Sequence, residues 1–206
     1  MRRWDRPYVL LVLLCAAQRS AELLISRRNL RRSAAPLGTA GRRTFPLMAA
    51  LHVALFVAPL AERRLRPRRD RPALAVPALA LLAAATALRL WVIRSLGDGW
   101  NVRATVPADL TPVDSGPYRL IRHPNYVAVA AEMAALPLTG TAPLSAAALS
   151  AANALVLAQR IRAEERLLAQ IPGYSERMGD KPRFLPRLPS RHLAVQVRAG
   201  GADVSR

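Results

Sequence analysis

Cysteine and aromatic residues are scarce in this chain. Cys15 is its only cysteine, so neither an intrachain disulfide nor a cysteine-based zinc site can form, and we predict no metal site. Aromatic residues make up only 5% of the composition and are not interleaved with the basic residues. Because proteins that bind nucleic acid stack bases on aromatic side chains beside basic ones, we predict no nucleic-acid partner.

The sequence also lacks the motifs of several common enzyme classes. It has no Gly-x-Gly-x-x-Gly, no phosphate-binding loop that ends in Gly-Lys-Ser or Gly-Lys-Thr, and no His-Glu-x-x-His. No serine lies in a nucleophile-elbow pattern. These absences exclude a Rossmann-type dinucleotide-binding protein.

Basic charge and apolar residues are abundant instead. Lys and Arg number 31 against 13 Asp and Glu, and hydrophobic residues make up 52% of the chain. The basic residues lie in blocks between long apolar runs, which is typical of a small polytopic membrane protein. Such a protein has membrane lipids as neighbours.

We therefore predict an all-α fold, a polytopic membrane helical bundle of about five transmembrane segments. About 20 apolar residues are needed to cross the hydrocarbon core. The predicted segments are residues 7–25, 44–61, 73–96, 125–138 and 144–169. The last two form a C-terminal helical hairpin, whose first arm is short for a full crossing.

The chain divides by composition into three parts. Residues 1–96 hold three N-terminal spans with Arg-rich loops, including a polar loop at 26–43. Residues 97–190 hold a catalytic loop, the hairpin and a cofactor-binding region, and residues 191–206 are predicted to be a disordered tail. Prolines and glycines are expected to keep the connection at 97–122 from being helical. The excess of basic residues on the side of this connection predicts that it faces the cytoplasm. The heavy use of Ala and Arg is typical of a GC-rich bacterial genome, so the membrane is predicted to be a bacterial plasma membrane.

Several polar residues lie within the predicted spans. Arg19 and Glu22 share a helical face and form either an ion pair near the headgroups or a pair in which Glu22 points into the bundle. His52 is either a helix-to-helix hydrogen-bond partner or a catalytic group. Arg89 and Arg94 flank Trp91, and we expect both to extend to the membrane surface.

The densest cluster of chemically active side chains is the segment Ser-Gly-Pro-Tyr-Arg-Leu-Ile-Arg-His-Pro-Asn-Tyr at 115–126. Pro124 fixes the backbone where Arg122 and His123 are directed, which favours a ligand site over simple interfacial anchoring. Arg160 and Glu164 are four residues apart, so they share one face of a later helix. We predict that these groups form one polar site at the membrane surface.

The two motifs together resemble those of the isoprenylcysteine carboxyl methyltransferase family. The similarity rests on Ser-Gly-Pro-Tyr-Arg-x-x-Arg-His-Pro-Asn-Tyr and on Arg-x-x-x-Glu-Glu-x-x-Leu about forty residues later, and it covers 110–186. Looser similarity at 19–29, 52 and 89–101 is to a bacterial branch associated with type III polyketide synthases. The resemblance implies an integral-membrane O-methyltransferase that uses S-adenosyl-L-methionine and acts on a lipophilic alkylresorcinol or alkylpyrone. It further implies a neighbouring type III polyketide synthase as a partner.

The resemblance also implies roles for individual positions. Arg160 would face the substrate and, with Arg122, is a candidate catalytic residue, because a guanidinium can hold the oxygen anion of a methyl acceptor. The expected cofactor-binding residues are Leu110, Thr111, Pro112, Val113, Tyr118, His123, Pro124, Asn125, Tyr126 and Glu164. The candidates for a base that deprotonates a phenol or enol acceptor are His52, His123, Glu22 and Glu132, and the sequence does not choose among them. The segment at 171–178 departs from the family pattern, which puts the lid over the cofactor in doubt.

Three other functions compete with this interpretation. The acceptor is alternatively an isoprenylcysteine carboxylate or a phospholipid amine. An NADPH-dependent sterol-type reductase shares a similar Arg-His-x-Asn-Tyr motif, although such enzymes have more spans. A non-catalytic protein could bind anionic lipid through its Arg loops, in which case Tyr118, His123 and Glu164 would be replaceable.

Overall fold

The computed structural model describes residues 5–33, 35–66, 71–108 and 110–186. The tail predicted at 191–206 lies outside these described residues. Six helices and two short strands follow one another along the described chain: α1 (Asp5–Arg32), β1 (Pro36–Thr39), α2 (Phe45–Leu65), α3 (Pro72–Leu96), β2 (Thr105–Pro107), α4 (Pro124–Thr139), α5 (Pro143–Leu168) and α6 (Tyr174–Met178). The fold is an all-α polytopic membrane bundle, as the sequence predicts.

Four helices in the described residues are long and apolar enough to cross a membrane, whereas the sequence predicts about five. These are α1, α2, α3 and α5. Helix α4 has 16 residues, and at 1.5 Å per residue it is about 24 Å long, short of a core of about 30 Å. Its residues from Ala128 to Pro137 are largely buried among the other helices. Helices α4 and α5 form the predicted hairpin, with α4 as its short inner arm.

Proline marks the starts of the later helices. Pro46, Pro72, Pro124 and Pro143 each occupy the first or second position of α2, α3, α4 and α5. Proline suits the first turn because its fixed φ matches the helix and its missing N–H has no partner to lose there. The apolar Ala- and Leu-rich sequences that follow continue the helices.

Helix α1 is longer than predicted. It continues to Arg32, through residues 26–32 that were expected to belong to a polar loop. Asn29 Nδ2 donates to the carbonyl oxygens of Gly97 at 3.0 Å and Trp100 at 2.8 Å, and Ser26 Oγ accepts from the Val102 amide at 3.0 Å. The polar side chains at the end of α1 thus bind the loop after α3, which stabilises the extra helical turns.

The bundle has two ends that side-chain contacts define. At one end, which we call the site end, the start of α4 meets the end of α5, as shown by the hydrogen bond between Tyr126 and Glu164. At the far end, the Glu62 carboxylate caps α5 by accepting from the Ser145 amide at 2.7 Å, and Tyr8 donates to the Leu136 carbonyl oxygen at 3.0 Å.

The connection between α3 and α4 is more ordered than the sequence suggests. It contains 3-10 turns at Gly97–Gly99 and Gly116–Arg119, although its prolines and glycines predicted no helix. Strand β2 lies in the same connection and pairs with β1 in an antiparallel ribbon, with Thr39 opposite Thr105. This ribbon covers the site end of the bundle.

Candidate functional site

The motif at 115–126 turns the chain sharply into α4. Gly116 has φ +59°, and a Cβ there would lie 2.2 Å from Ser95 Oγ, so only glycine fits beside α3. The amides of Arg122 and His123 donate to the carbonyl oxygens of Pro182 and Arg183 at 2.9 and 3.0 Å. The segment after α6 therefore returns to the motif and fixes the backbone that directs Arg122 and His123.

A polar cleft opens at the site end between this motif, the β2 loop, α5 and α6. It brings together most of the residues predicted for the site: Leu110, Pro112, Val113, Tyr118, Arg122, His123, Asn125, Tyr126, Arg160 and Glu164. Two predicted residues do not line it. Thr111 is exposed, and Pro124 is buried as the first residue of α4.

Other residues of the cleft were not predicted. Trp100, Asn101, Val106, Tyr174 and Met178 also line it. Tyr174 and Met178 belong to α6, the segment whose sequence departs from the family pattern, and they pack with Val106 of β2 in a small apolar cluster. The turn residues Pro172 and Gly173 indicate that the chain changes direction before α6. They do not indicate which part of the protein α6 packs against.

Tyr126 connects Arg160 and Glu164 across the cleft. Its hydroxyl donates to Glu164 Oε2 and accepts from Arg160 Nε at 3.0 Å. Arg160 Nη2 donates to the Val102 carbonyl oxygen at 2.5 Å, whereas Nη1 is buried and has no hydrogen-bond partner among the described residues. Arg160 also lines the cleft, and a guanidinium there is suited to hold an oxygen of a ligand.

Glu165 organises the outer side of the cleft, a role that its sequence position did not indicate. Its Oε1 lies 3.1 Å from His123 Nε2 and 3.5 Å from Arg122 Nη1, and its Oε2 accepts from Arg183 Nη2 at 2.6 Å. The helical position of Glu165 turns it away from Arg160, so it holds the motif and the returning C-terminal segment together. Glu165 and Arg183 are 18 residues apart in the chain, so their hydrogen bond links α5 to the segment after α6.

Two tyrosines of the cleft keep their protons at neutral pH. Burial, and secondly the nearby Glu164 carboxylate, raises the pKa of Tyr118 well above its ordinary value. The same two causes raise the pKa of Tyr174 to about 12. Both phenols are therefore neutral hydrogen-bond donors rather than bases.

A second cavity, which we call the membrane cavity, lies deeper in the bundle. Its volume is about 340 Å³, and it is lined by residues of α1 to α5 that include Arg19, Glu22, Leu23, His52, Val53 and Arg89. Leu23 and Val53 are 40% and 63% exposed on two candidate spans, so the cavity reaches the apolar outer surface between α1 and α2. Trp100, Asn125, Tyr126 and Arg160 line both the membrane cavity and the polar cleft.

Four charged side chains form a buried network beside this cavity. Arg19 donates to both Glu22 and Glu132, and Arg89 Nε donates to Glu22 Oε2 at 2.8 Å. Both interpretations of Arg19 and Glu22 are therefore partly right, since they form an ion pair and Glu22 points into the bundle. The expectation for Arg89 is wrong: its side chain is 5% exposed and does not extend to the membrane surface, because Glu22 neutralises it inside.

Two comparisons with known proteins find sequences similar to this chain. Residues 78–170 match the family model described as the isoprenylcysteine carboxyl methyltransferase (ICMT) family. The chain is also 29% identical to "Uncharacterized protein YpbQ" of Bacillus subtilis (strain 168) over 163 residues, which cover 78% of this chain and 96% of that protein. The matched family region runs from α3 through the motif to the end of α5.

Proposed function

We propose that this chain is an integral-membrane methyltransferase of the isoprenylcysteine carboxyl methyltransferase family. It would use S-adenosyl-L-methionine to O-methylate a lipophilic hydroxylated polyketide, an alkylresorcinol or alkylpyrone. The observation that carries the proposal is the wall that the polar cleft and the membrane cavity share. Such a wall allows a polar methyl donor on one side to meet an acceptor that enters from the lipid on the other.

The residues of the polar cleft fit the chemistry of the cofactor. S-adenosyl-L-methionine supplies an electrophilic methyl group on a sulfonium and carries an ammonium and a carboxylate. The Glu164 carboxylate would hold a cationic or hydroxyl part of it. The Tyr118, Tyr126 and Tyr174 rings offer faces for the adenine or the sulfonium.

The cleft must widen for the whole cofactor to enter. Its volume is about 130 Å³, below the range of about 300–1,000 Å³ that is common for small-molecule sites. The side formed by residues 110–113 is loop rather than helix. We expect this loop to move outward when the cofactor binds.

The membrane cavity fits an amphipathic acceptor. It is mainly apolar, opens on the lipid-facing surface and ends in polar groups at the shared wall. Arg160 lines both cavities, so its guanidinium would orient the acceptor oxygen and stabilise negative charge on it. Transfer then depends mostly on holding the two reactants in line and away from water.

Calorimetry with S-adenosylhomocysteine tests the cofactor part of the proposal. Micromolar binding by detergent-purified protein should be lost in Glu164→Ala and His123→Ala. It should persist in Glu176→Ala, a matched control whose carboxylate is exposed on α6. Failure of the wild type to bind, with NADPH binding in the same cell, would favour a reductase instead.

Methyl transfer to a panel of acceptors tests the substrate part. The panel contains an alkylresorcinol, an alkylpyrone, a farnesylated cysteine derivative and phosphatidylethanolamine, presented in mixed micelles. We expect the first two to accept the methyl group. Exclusive methylation of the cysteine carboxylate or of the amine would contradict the polyketide assignment and leave the cofactor assignment intact.

A further inference from the structure

A hydroxyl acceptor must lose its proton during methylation, and the carboxylates near the membrane cavity are poorly placed to take it. Glu22 Oε1 accepts from Gln18 at 3.0 Å, and its Oε2 accepts from Arg19 and from Arg89. Glu132 Oε2 accepts from Arg19. Both carboxylates are thus already engaged by donors, and Glu132 does not line the membrane cavity.

His123 is also committed to another contact. Its Nε2 lies 3.1 Å from Glu165 Oε1, and its side chain lines the polar cleft but not the membrane cavity. Of the four candidate bases, this leaves His52.

The hydrogen bond of His52 fixes which of its nitrogens carries the proton. Nδ1 lies 2.7 Å from the carbonyl oxygen of Met48, one turn earlier in α2. A carbonyl oxygen can only accept, so Nδ1 must be the donor, and the neutral imidazole has its lone pair on Nε2. Within the described part of the chain, Nε2 has no hydrogen-bond partner.

His52 lines the membrane cavity together with a small set of charged and titratable side chains. The charged and titratable groups that line the cavity with it are Arg19 and Glu22 from α1, Arg89 from α3, Tyr126 from α4 and Arg160 from α5. Arg19 and Arg89 are paired with Glu22. Arg160 and His52 line the same cavity, so an acceptor that fills this cavity can contact both side chains.

We infer that His52 is the general base that removes the hydroxyl proton of the acceptor during methyl transfer. This inference rests on the proposed function. The acceptor O–H bond breaks, its proton goes to Nε2, and the oxygen bonds to the methyl carbon that S-adenosyl-L-methionine supplies. S-adenosylhomocysteine is the leaving group, and the imidazolium then releases the proton to water. A carboxylate acceptor, already ionised, would need no such group.

The test compares wild type with His52→Gln on two acceptors. The first is a plain alkylresorcinol, which is protonated at pH 7, and the second is a nitro-substituted alkylresorcinol, whose phenol is ionised in the assay. Glutamine retains hydrogen-bonding ability but cannot take up a proton. We expect the variant to bind S-adenosylhomocysteine like wild type and to methylate the plain acceptor about 100-fold more slowly.

The pH profile and the second acceptor distinguish a general base at position 52 from a residue that only packs there. The deficit of His52→Gln should shrink as the pH rises toward ionisation of the plain phenol, and should vanish on the nitro acceptor. Equal losses on both acceptors, loss of S-adenosylhomocysteine binding, or no loss at all would overturn the inference. Absence of cofactor binding in the wild type would instead contradict the proposed function, and the inference about His52 would then have no basis.

Discussion

Tyr126 is the residue on which the two sides of the site depend. Its hydroxyl orients the Arg160 guanidinium and the Glu164 carboxylate together, and its ring lines both cavities. A single oxygen thus couples the group proposed to hold the cofactor to the group proposed to hold the acceptor.

Tyr126→Phe should therefore impair transfer without unfolding the protein. Removing the hydroxyl leaves a buried donor and a carboxylate without their shared partner, which costs about 1–3 kcal/mol. We expect kcat/KM for methyl transfer to fall roughly 10- to 100-fold by the same energy scale.

Tyr8→Phe is the matched control. It also removes a buried tyrosine hydroxyl, which donates to the Leu136 carbonyl oxygen at the far end of the bundle. Thermal unfolding should show a loss of about 1 kcal/mol, with kcat/KM unchanged. Equal kinetic effects of the two variants would contradict the role given to Tyr126.

At the residue scale, sequence spacing predicted part of this site. The shared face of Arg160 and Glu164 follows from helical geometry alone, and both line the cleft. Glu165 was missed because its partners, His123 and Arg183, come from segments far along the chain. No local pattern reports such contacts, since they depend on where the segment after α6 returns.

At the scale of elements, α1 and α3 are joined by the buried pair of Glu22 and Arg89. Arg89→Gln would leave Glu22 with a reduced set of partners in a site that water barely reaches. Removing one member of a buried ion pair typically costs about 3–5 kcal/mol. We expect a loss of that size in unfolding measured in detergent.

Arg94→Gln on the same helix provides the comparison. Arg94 is exposed near the site end of α3, and a surface substitution of this kind changes stability by about 0.5 kcal/mol or less. Similar losses in the two variants would show that Arg89 is not held as described.

The β1–β2 ribbon meets α5 where Gly41 passes Arg160. A Cβ on Gly41 would lie 2.2 Å from the Arg103 carbonyl oxygen and 2.6 Å from Arg160 Nη1. Gly41→Ala must therefore push the backbone or the guanidinium aside, at a cost of about 1–3 kcal/mol. We expect kcat/KM to fall together with the melting temperature.

Gly38→Ala tests whether any added methyl in this segment has the same effect. Its Cβ would approach Leu167 Cδ2 at 2.8 Å, the end of a flexible apolar side chain that can rotate away. The kinetic loss should be much smaller than for Gly41→Ala. A loss as large as that of Gly41→Ala would argue against a specific contact with Arg160.

Sequence patterns predict the positions of the long helices better than they predict where each helix or strand ends. Apolar runs located every long helix, but not the end of α1, because Ser26 and Asn29 form their contacts with the loop after α3. Strands β1 and β2 have four and three residues, too few for an alternating pattern to stand out. The burial of Arg89 was not predicted, because hydropathy does not show that Glu22 of another helix lies beside it.

At the scale of the whole molecule, the positions of the two ends of the bundle make the predicted membrane orientation directly testable. The site end and the far end lie on opposite ends of α2, which is long enough to cross the membrane. A charged cofactor does not cross a bilayer readily, because burying its charges in hydrocarbon is costly. The polar cleft should therefore open toward the cytoplasm, where basic residues near the spans are retained.

Cysteine labelling in intact cells measures this orientation. Cys15→Ala removes the native thiol, and Thr111→Cys or Arg66→Cys then places a single exposed thiol at the site end or at the far end. A membrane-impermeant maleimide should label Arg66→Cys in intact cells and Thr111→Cys only after lysis. The reverse pattern would place the cleft outside the cell, and labelling of both in intact cells would contradict a crossing by α2. Either result would force a new account of how the cofactor reaches Glu164.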